Sequence, residues 1–342
     1  MSKCDIQLLM PDSVPAGGIL NGEAVVTVDQ PVETKAVKVL VGWRTHGRGT
    51  RSRSVVMEQV IFAGELSAGE MRFPFAISVP TGPLTFHGEY VNVEWFASAT
   101  VDLPWAVDPG VERVFALRRS DTAEPYVHGV RPPVTGLEGA KPMAVGDGCL
   151  VAILLFFLIL FAGVFALVVS RTLILAGSGW MTAIVLLLFL VFCAVPLFIL
   201  YRIFRPRLAR RRIGDVKLSV SKVAPATGET IELVLDLLAR RSLELGSITA
   251  TLTCMERAIS GSGTNRSTYT KTLHEEKVSL SEGRCSVSSH SPARFTRFVE
   301  IPADAPPSFV SDHNDVLWTI AVRIEVRNWI DWEDTFTLAV RP

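Results

Sequence analysis

Between residues 1 and about 118, short runs of alternating apolar and polar residues are separated by turn-forming ones. Residues 24–28, 35–43, 55–62, 71–79 and 90–103 carry this pattern, the first directly after Asn21-Gly22. Side chains of a strand point alternately to its two faces, so each run predicts a half-buried strand, and the β-branched content strengthens the reading. No stretch here sustains a helical period, which predicts an antiparallel β-sandwich. Residues 216–342 repeat the style, with runs at 216–221, 230–237, 247–256, 269–280, 294–301, 316–326 and 335–340.

The middle of the chain breaks the pattern. Residues 149–170 and 180–201 are uncharged and strongly apolar, and each is long enough as a helix, at ~1.5 Å per residue, to cross a ~30 Å hydrocarbon core. Trp180 and Tyr201 stand at the ends of the second run, where interfacial aromatics are expected, and Pro196 is tolerable in a lipid-embedded helix. These features predict a two-helix transmembrane hairpin; a pair of buried core helices is the alternative. Arg202, Arg205, Arg207, Arg210, Arg211 and Arg212 follow the second run, against Arg171 alone in the turn between the two. By the positive-inside rule this flank is cytoplasmic, so both termini and both β-rich parts are expected in the cytoplasm, at the cell or inner membrane. The flank also suits anionic lipid headgroups. The expected organisation is a lobe over 1–118, a linker over 119–148, the hairpin over 149–201, a basic segment over 202–215 and a second lobe over 216–342.

The two β-rich parts repeat one another. Phe73-Pro-Phe-Ala-Ile-Ser-Val-Pro80, Pro83-Leu-Thr-Phe86 and Val91-Asn-Val-Glu-Trp95 are matched in order by Phe298-Val-Glu-Ile-Pro302, Pro306-Pro-Ser-Phe309 and Asp315-Val-Leu-Trp318. Nine residues separate Phe86 from Trp95, and nine separate Phe309 from Trp318. Upstream, Gly22-Glu23 opens a strand in the first half and Gly228-Glu229 opens one in the second. The order and spacing point to duplication of one sandwich: a strand halts at a proline that cannot donate to the ladder, a loop crosses over, and a Trp-bearing strand returns to the core.

On these motifs the chain resembles the arrestin family. The resemblance covers nearly all of the β-rich sequence and implies two tandem immunoglobulin-type β-sandwich lobes with a habit of binding other proteins. The stretch from Asp331 to Val340 is similar to the end of an arrestin second lobe. Two departures matter. A hydrophobic segment lies between the lobes, which makes the expected protein a membrane-anchored variant. There is also no basic pair near the first strand and no Pro-Pro-x-Tyr, since Pro132-Pro-Val-Thr and Pro306-Pro-Ser-Phe both lack the tyrosine. Phosphoreceptor capture and recruitment of WW-domain ligases are therefore not implied.

Composition sharpens this only a little. Lys and Arg total 34, as do Asp and Glu, so no global charge favours nucleic acid. The five cysteines form no CxxC pair, which argues against a zinc site or a disulfide framework. No nucleophile elbow, HExxH or phosphate-binding glycine loop is present, so neither catalysis nor a cofactor is expected. Ser311-Asp-His-Asn-Asp315 holds metal-ligating residue types, but its spacing suits a turn before the next strand. Arg44, His46, Arg48, Arg51 and Arg53 make a basic loop between two strands. It is either a solvated hairpin or a contact for anionic lipid or an acidic partner. The function expected from sequence is a membrane-anchored adaptor or scaffold for an unidentified membrane or cytoplasmic protein. An accessory subunit of a membrane complex, its hairpin packed on partner helices, is the alternative, and a membrane-bound enzyme is a third.

Overall fold

Alternation becomes sandwich in the computed structural model, which describes residues 4–104, 107–120, 128–129, 214–289 and 291–342, with scattered positions between 156 and 213. The first lobe contains β1 (Cys4–Leu9), β2 (Ser13–Pro15), β3 (Ile19–Val28), β4 (Val32–Gly47), β5 (Ser52–Leu66), β6 (Gly69–Ser78), β7 (Phe86–His87), β8 (Val91–Asp102) and β9 (Gly110–Arg118). One sheet has the order β1-β3-β6; the other runs β2-β9-β8-β4-β5, with β7 on β8. The second lobe contains β10 (Asp215–Val220), β11 (Thr230–Leu238), β12 (Leu243–Ser260), β13 (Ser267–Ser281), β14 (Cys285–Val287), β15 (Ala293–Glu300), β16 (Phe309–Val310), β17 (Asn314–Val326) and β18 (Trp332–Leu338). Its small sheet is β10-β11-β15 and its large one β13-β12-β17-β16, with β14 on β12 and β18 on β17. Inward positions such as Val37, Val39 and Val41 on β4, or Ile248, Ala250 and Leu252 on β12, are buried.

The repeated motifs occupy equivalent places. Phe86 pairs with Val93 across β7 and β8, and Phe309 with Val316 across β16 and β17. Trp95 and Trp318 are fully buried, and each indole Nε1 donates to the proline carbonyl that opens its crossover loop, Pro83 at 2.7 Å and Pro306 at 2.9 Å. The hydroxyl residue of each loop also has a definite job. Thr85 N donates to Leu117 O while its Oγ1 accepts from Leu117 N; Ser308 N donates to Val340 O while its Oγ accepts from Val340 N. Each loop is thus fastened by a reciprocal pair, to the last strand of the first lobe at Leu117 and just past the last strand of the second at Val340. Ser308→Ala is expected to strand the Val340 amide and cost about 1–3 kcal/mol, measured by denaturant unfolding. An unchanged midpoint would show the hydroxyl to be dispensable.

Gly22 and Gly228 are not equivalent. Gly22 lies within β3, opposite Phe75, whereas Gly228 precedes β11. The counterpart of Gly228 is Gly17. Both have positive φ, +73° and +83°, and both donate to the end of the strand that stops at proline, Gly17 to Pro80 O and Gly228 to Ile301 O. A left-handed turn before the strand explains glycine at both places.

Several expectations from the sequence are corrected here. Spanning a bilayer requires about 20 consecutive apolar residues in one helix, and no helix among the described residues is long and apolar enough to cross a membrane. Most of 149–170 and 180–201 lies outside the described residues. The positions described there are helical, and large apolar ones among them, such as Ile159, Leu187 and Phe198, are exposed. Among the described residues the fold class is a pair of β-sandwiches, with no membrane-spanning helical hairpin. The membrane-anchored variant, the integral-membrane localisation with cytoplasmic lobes, and the bilayer as partner fall with the spans that carried them. Of the basic flank, Arg202, Arg205, Arg207, Arg210 and Arg211 lie outside the described residues; the Arg212 guanidinium sits 4.4 Å over the Trp329 ring.

Candidate functional site at the junction of the lobes

The large sheets of the two lobes meet at the tip of the β4–β5 hairpin, the β7–β8 loop and the crossover loops. The alternation of β12 runs Ile248, Ala250, Leu252, Cys254 and then Glu256, which places a carboxylate on the inward face at full burial. It is satisfied by the other lobe. Glu256 Oε1 accepts from Glu89 N at 3.1 Å, and Oε2 accepts from Tyr90 N at 2.5 Å and Val91 N at 2.9 Å. Three main-chain amides converging on one anion form a nest of fixed partial charges, which compensates its desolvation. Close approach depends on Gly88, where a Cβ would stand 2.3 Å from Glu256 Oε1.

Asn314 forms a second polar link. Its Nδ2 donates to Thr45 Oγ1 at 2.9 Å and to Thr50 O at 2.8 Å, while Thr50 N donates to Ile259 O. Beside it, buried Asp315 accepts from Arg257 Nε at 2.7 Å and from Ser311 N. The Ser311–Asp315 segment is therefore a structured turn that docks the first lobe. Among the described residues no three His, Cys, Asp or Glu side chains are grouped to hold a metal ion.

Around the clasp lie weaker contacts. Lys271 pairs with Glu89 at 2.9 Å, and Arg48 sits over both Tyr90 and Tyr269, at 4.9 and 5.3 Å. The hydrogen bond from Lys271 holds the Glu89 carboxyl below its ordinary range and raises the ammonium in turn. This pair is exposed and contributes little to stability. On the apolar side, Trp43 packs edge-on to Phe309 and His128 stacks on it, with centroid distances of 5.8 and 5.4 Å. Burial lowers the His128 pKa. The two crossover loops face each other here around a cavity of about 170 Å³.

The basic loop read from the sequence is largely spent on the protein itself. Arg44 reaches Glu94 at 3.2 Å and Glu112 at 2.6 Å, His46 Nε2 lies 3.1 Å from Glu94 Oε1, and Arg53 reaches Glu112 at 3.2 Å while covering Phe96 at 4.2 Å. Burial alone would raise the Glu94 carboxyl, but His46 and Arg44 outweigh it and hold the pKa below its ordinary value. Arg48 belongs to the junction and Arg51 is exposed. Anionic lipid is accordingly dropped as a partner: these forks already hold carboxylates and rings. The sequence gives Glu256 no role and assigns Asn314 only to a turn. The available signal was Glu256, a charge in phase with the buried positions of its strand.

Cys254, one step before the clasp on the same inward face, shows how dry this face is. Burial, with the nearby Glu256 charge, pushes its thiol from 9.0 up to about 12. Only the thiolate is nucleophilic, so Cys254 is expected to resist alkylation at pH 8.5 in native protein and to react on unfolding, as counted by mass spectrometry. A thiol whose pKa is raised by folding favours the folded state below its unfolded pKa. That contribution is expected to be lost as pH rises from about 9 toward about 12. Rapid native labelling of Cys254 would contradict the packing.

A family model described as the arrestin (or S-antigen) N-terminal domain matches residues 51–120, the stretch from the start of β5 through β9. None of the curated proteins matches the chain. Among solved structures, the sporulation control protein Spo0M from Bacillus subtilis is similar at 10% identity, over 68% of this chain and 79% of that one. The TM-score is 0.30. The family match over residues 51–120, together with the strand order of the first lobe, supports an arrestin-like fold for that stretch.

Proposed function

We propose that this chain is an arrestin-like adaptor whose two lobes act together as one protein-binding body. The supporting observation is that the matched stretch contains the β7–β8 loop, and the second lobe grips that same loop through Glu256. Joining two binding modules makes the engagement of the second effectively intramolecular, which is the physical advantage of a two-lobed adaptor. The clasp keeps both lobe surfaces in one orientation, so less freedom is lost when a shared partner docks. Exposed large apolar residues such as Val60 on β5 and Phe298 on β15 mark places for a probe. Photocrosslinking residues at these two positions, in the full chain in cells, should trap a discrete protein species, and excess unlabelled chain should compete the adduct away. Labelling that never saturates, or that ignores the competitor, would set the adaptor reading aside.

A further inference from the structure

We propose that the cavity between the two crossover loops is a binding site for one small apolar ring compound, of benzene to indole size. Its walls come from both lobes: Pro83, Leu84 and Phe86 from the first, Pro306, Pro307 and Phe309 from the second. Protein interiors normally leave few voids larger than a water molecule, and elsewhere the junction is joined by direct hydrogen bonds and ring contacts. The space measures about 170 Å³ and is partly open to solvent; ~150 Å³ is the scale at which an apolar cavity takes up benzene.

The loops' own hydrogen bonding decides the chemistry. The Pro83 and Pro306 carbonyls are held by the indoles of Trp95 and Trp318. The Thr85 hydroxyl is held by Leu117 N, and the Ser308 hydroxyl lies between Leu338 O and Val340 N. These polar groups are turned into their own lobes, so the loops offer the cavity mainly rings, prolines and a leucine. Apart from His128 and the exposed Asp304, the wall gives a ligand that needs hydrogen bonds little in exchange for its water, whereas a flat apolar ring meets ring edges and faces on both sides. His128 and Asp304 also line the space. Because the ring touches both lobes at once, its occupancy braces them and stabilises the joined form by mass action.

Fluorobenzene, followed by ligand-observed fluorine NMR on the full chain, is the direct probe. Saturable line broadening that excess toluene reverses is expected, with nuclear Overhauser contacts to the Phe86 and Phe309 rings. A rise in Tm of about 2 °C or more should accompany saturating toluene. Leu84→Trp, which fills the space, should abolish the broadening, while Leu238→Ala, at the exposed end of β11, should leave it intact. No saturable broadening up to the solubility limit would overturn the proposal, as would equal binding to folded Leu84→Trp. If Leu84→Trp does not fold, the contacts decide: to Phe86 and Phe309 they support the site, and to other rings they reject it.

Discussion

Replacing Glu256 with alanine is expected to destabilise the chain by about 3–5 kcal/mol, one of the two largest single-residue effects in the molecule. Such a value is typical of removing one partner from a buried charged contact, and here three donors are left behind. The amides of Glu89, Tyr90 and Val91 all point at the carboxylate, and Val91 is itself fully buried. Each orphaned donor costs about 1–3 kcal/mol unless water enters. Glu256→Gln should cost less, because one oxygen remains to accept, but its amide hydrogens would face the amide that Oε1 now serves. Acetate should partly restore Glu256→Ala by filling the vacated nest, whereas chloride at equal ionic strength should not. Gly88→Ala should act in the same direction, by pressing a Cβ against Oε1. Denaturant unfolding of the full chain measures all four. A cost for Glu256→Ala below about 1 kcal/mol would mean that the carboxylate is solvated and the lobes are not clasped through it.

Trp318→Ala should be of similar size, about 3–5 kcal/mol. The ring is fully buried at the centre of β17, between Cys254 on β12 and Leu338 on β18, and its Nε1 holds the Pro306 carbonyl. Truncation both opens a void and frees the crossover loop. Trp318→Phe separates the two contributions. It keeps most of the apolar volume and leaves the carbonyl unpaired, for about 1–3 kcal/mol. Trp95, with the same donor and acceptor arrangement toward Pro83, should show the same ratio between its Ala and Phe variants. A Phe variant as damaging as Ala would assign the whole effect to the hydrogen bond; a neutral one would assign it to packing.

The parts of this fold that were legible in the sequence are those whose physics is local. Period-two alternation located the long strands, because one face of each is buried. The nine-residue step from Phe86 to Trp95 and from Phe309 to Trp318 was legible because ring, proline and loop hydroxyl lie within a dozen residues of one another. β9 was missed: Arg113 interrupts its inward series, reaching over to Leu8 O and Asp12 instead of packing. The full length of β4 was missed as well. Beyond Trp43 its inward residue is Thr45, buried not by an apolar sheet but by Asn314 of the other lobe. The junction was invisible for the same reason. Asn314 and Thr45 are 269 positions apart, and nothing near either one announces the other. The apolar runs in the middle dominated the reading because composition is the loudest local signal, yet the described structure offers no helix that spans a membrane.

The clasp also bears on how this protein can change over generations. Glu256 is held by main-chain amides, and every residue except proline supplies one. The hydrogen bonds themselves therefore ask nothing of the side chains at 89 and 90, while Val91 is held by its burial, 256 has few substitutes and 88 tolerates little beyond glycine. A contact of this kind leaves no compensating pair, since there is no second side chain whose replacement repairs the first. Covariation among relatives would pass over this polar link between the lobes, and the share of their mutual orientation that it sets would be inherited through one carboxylate.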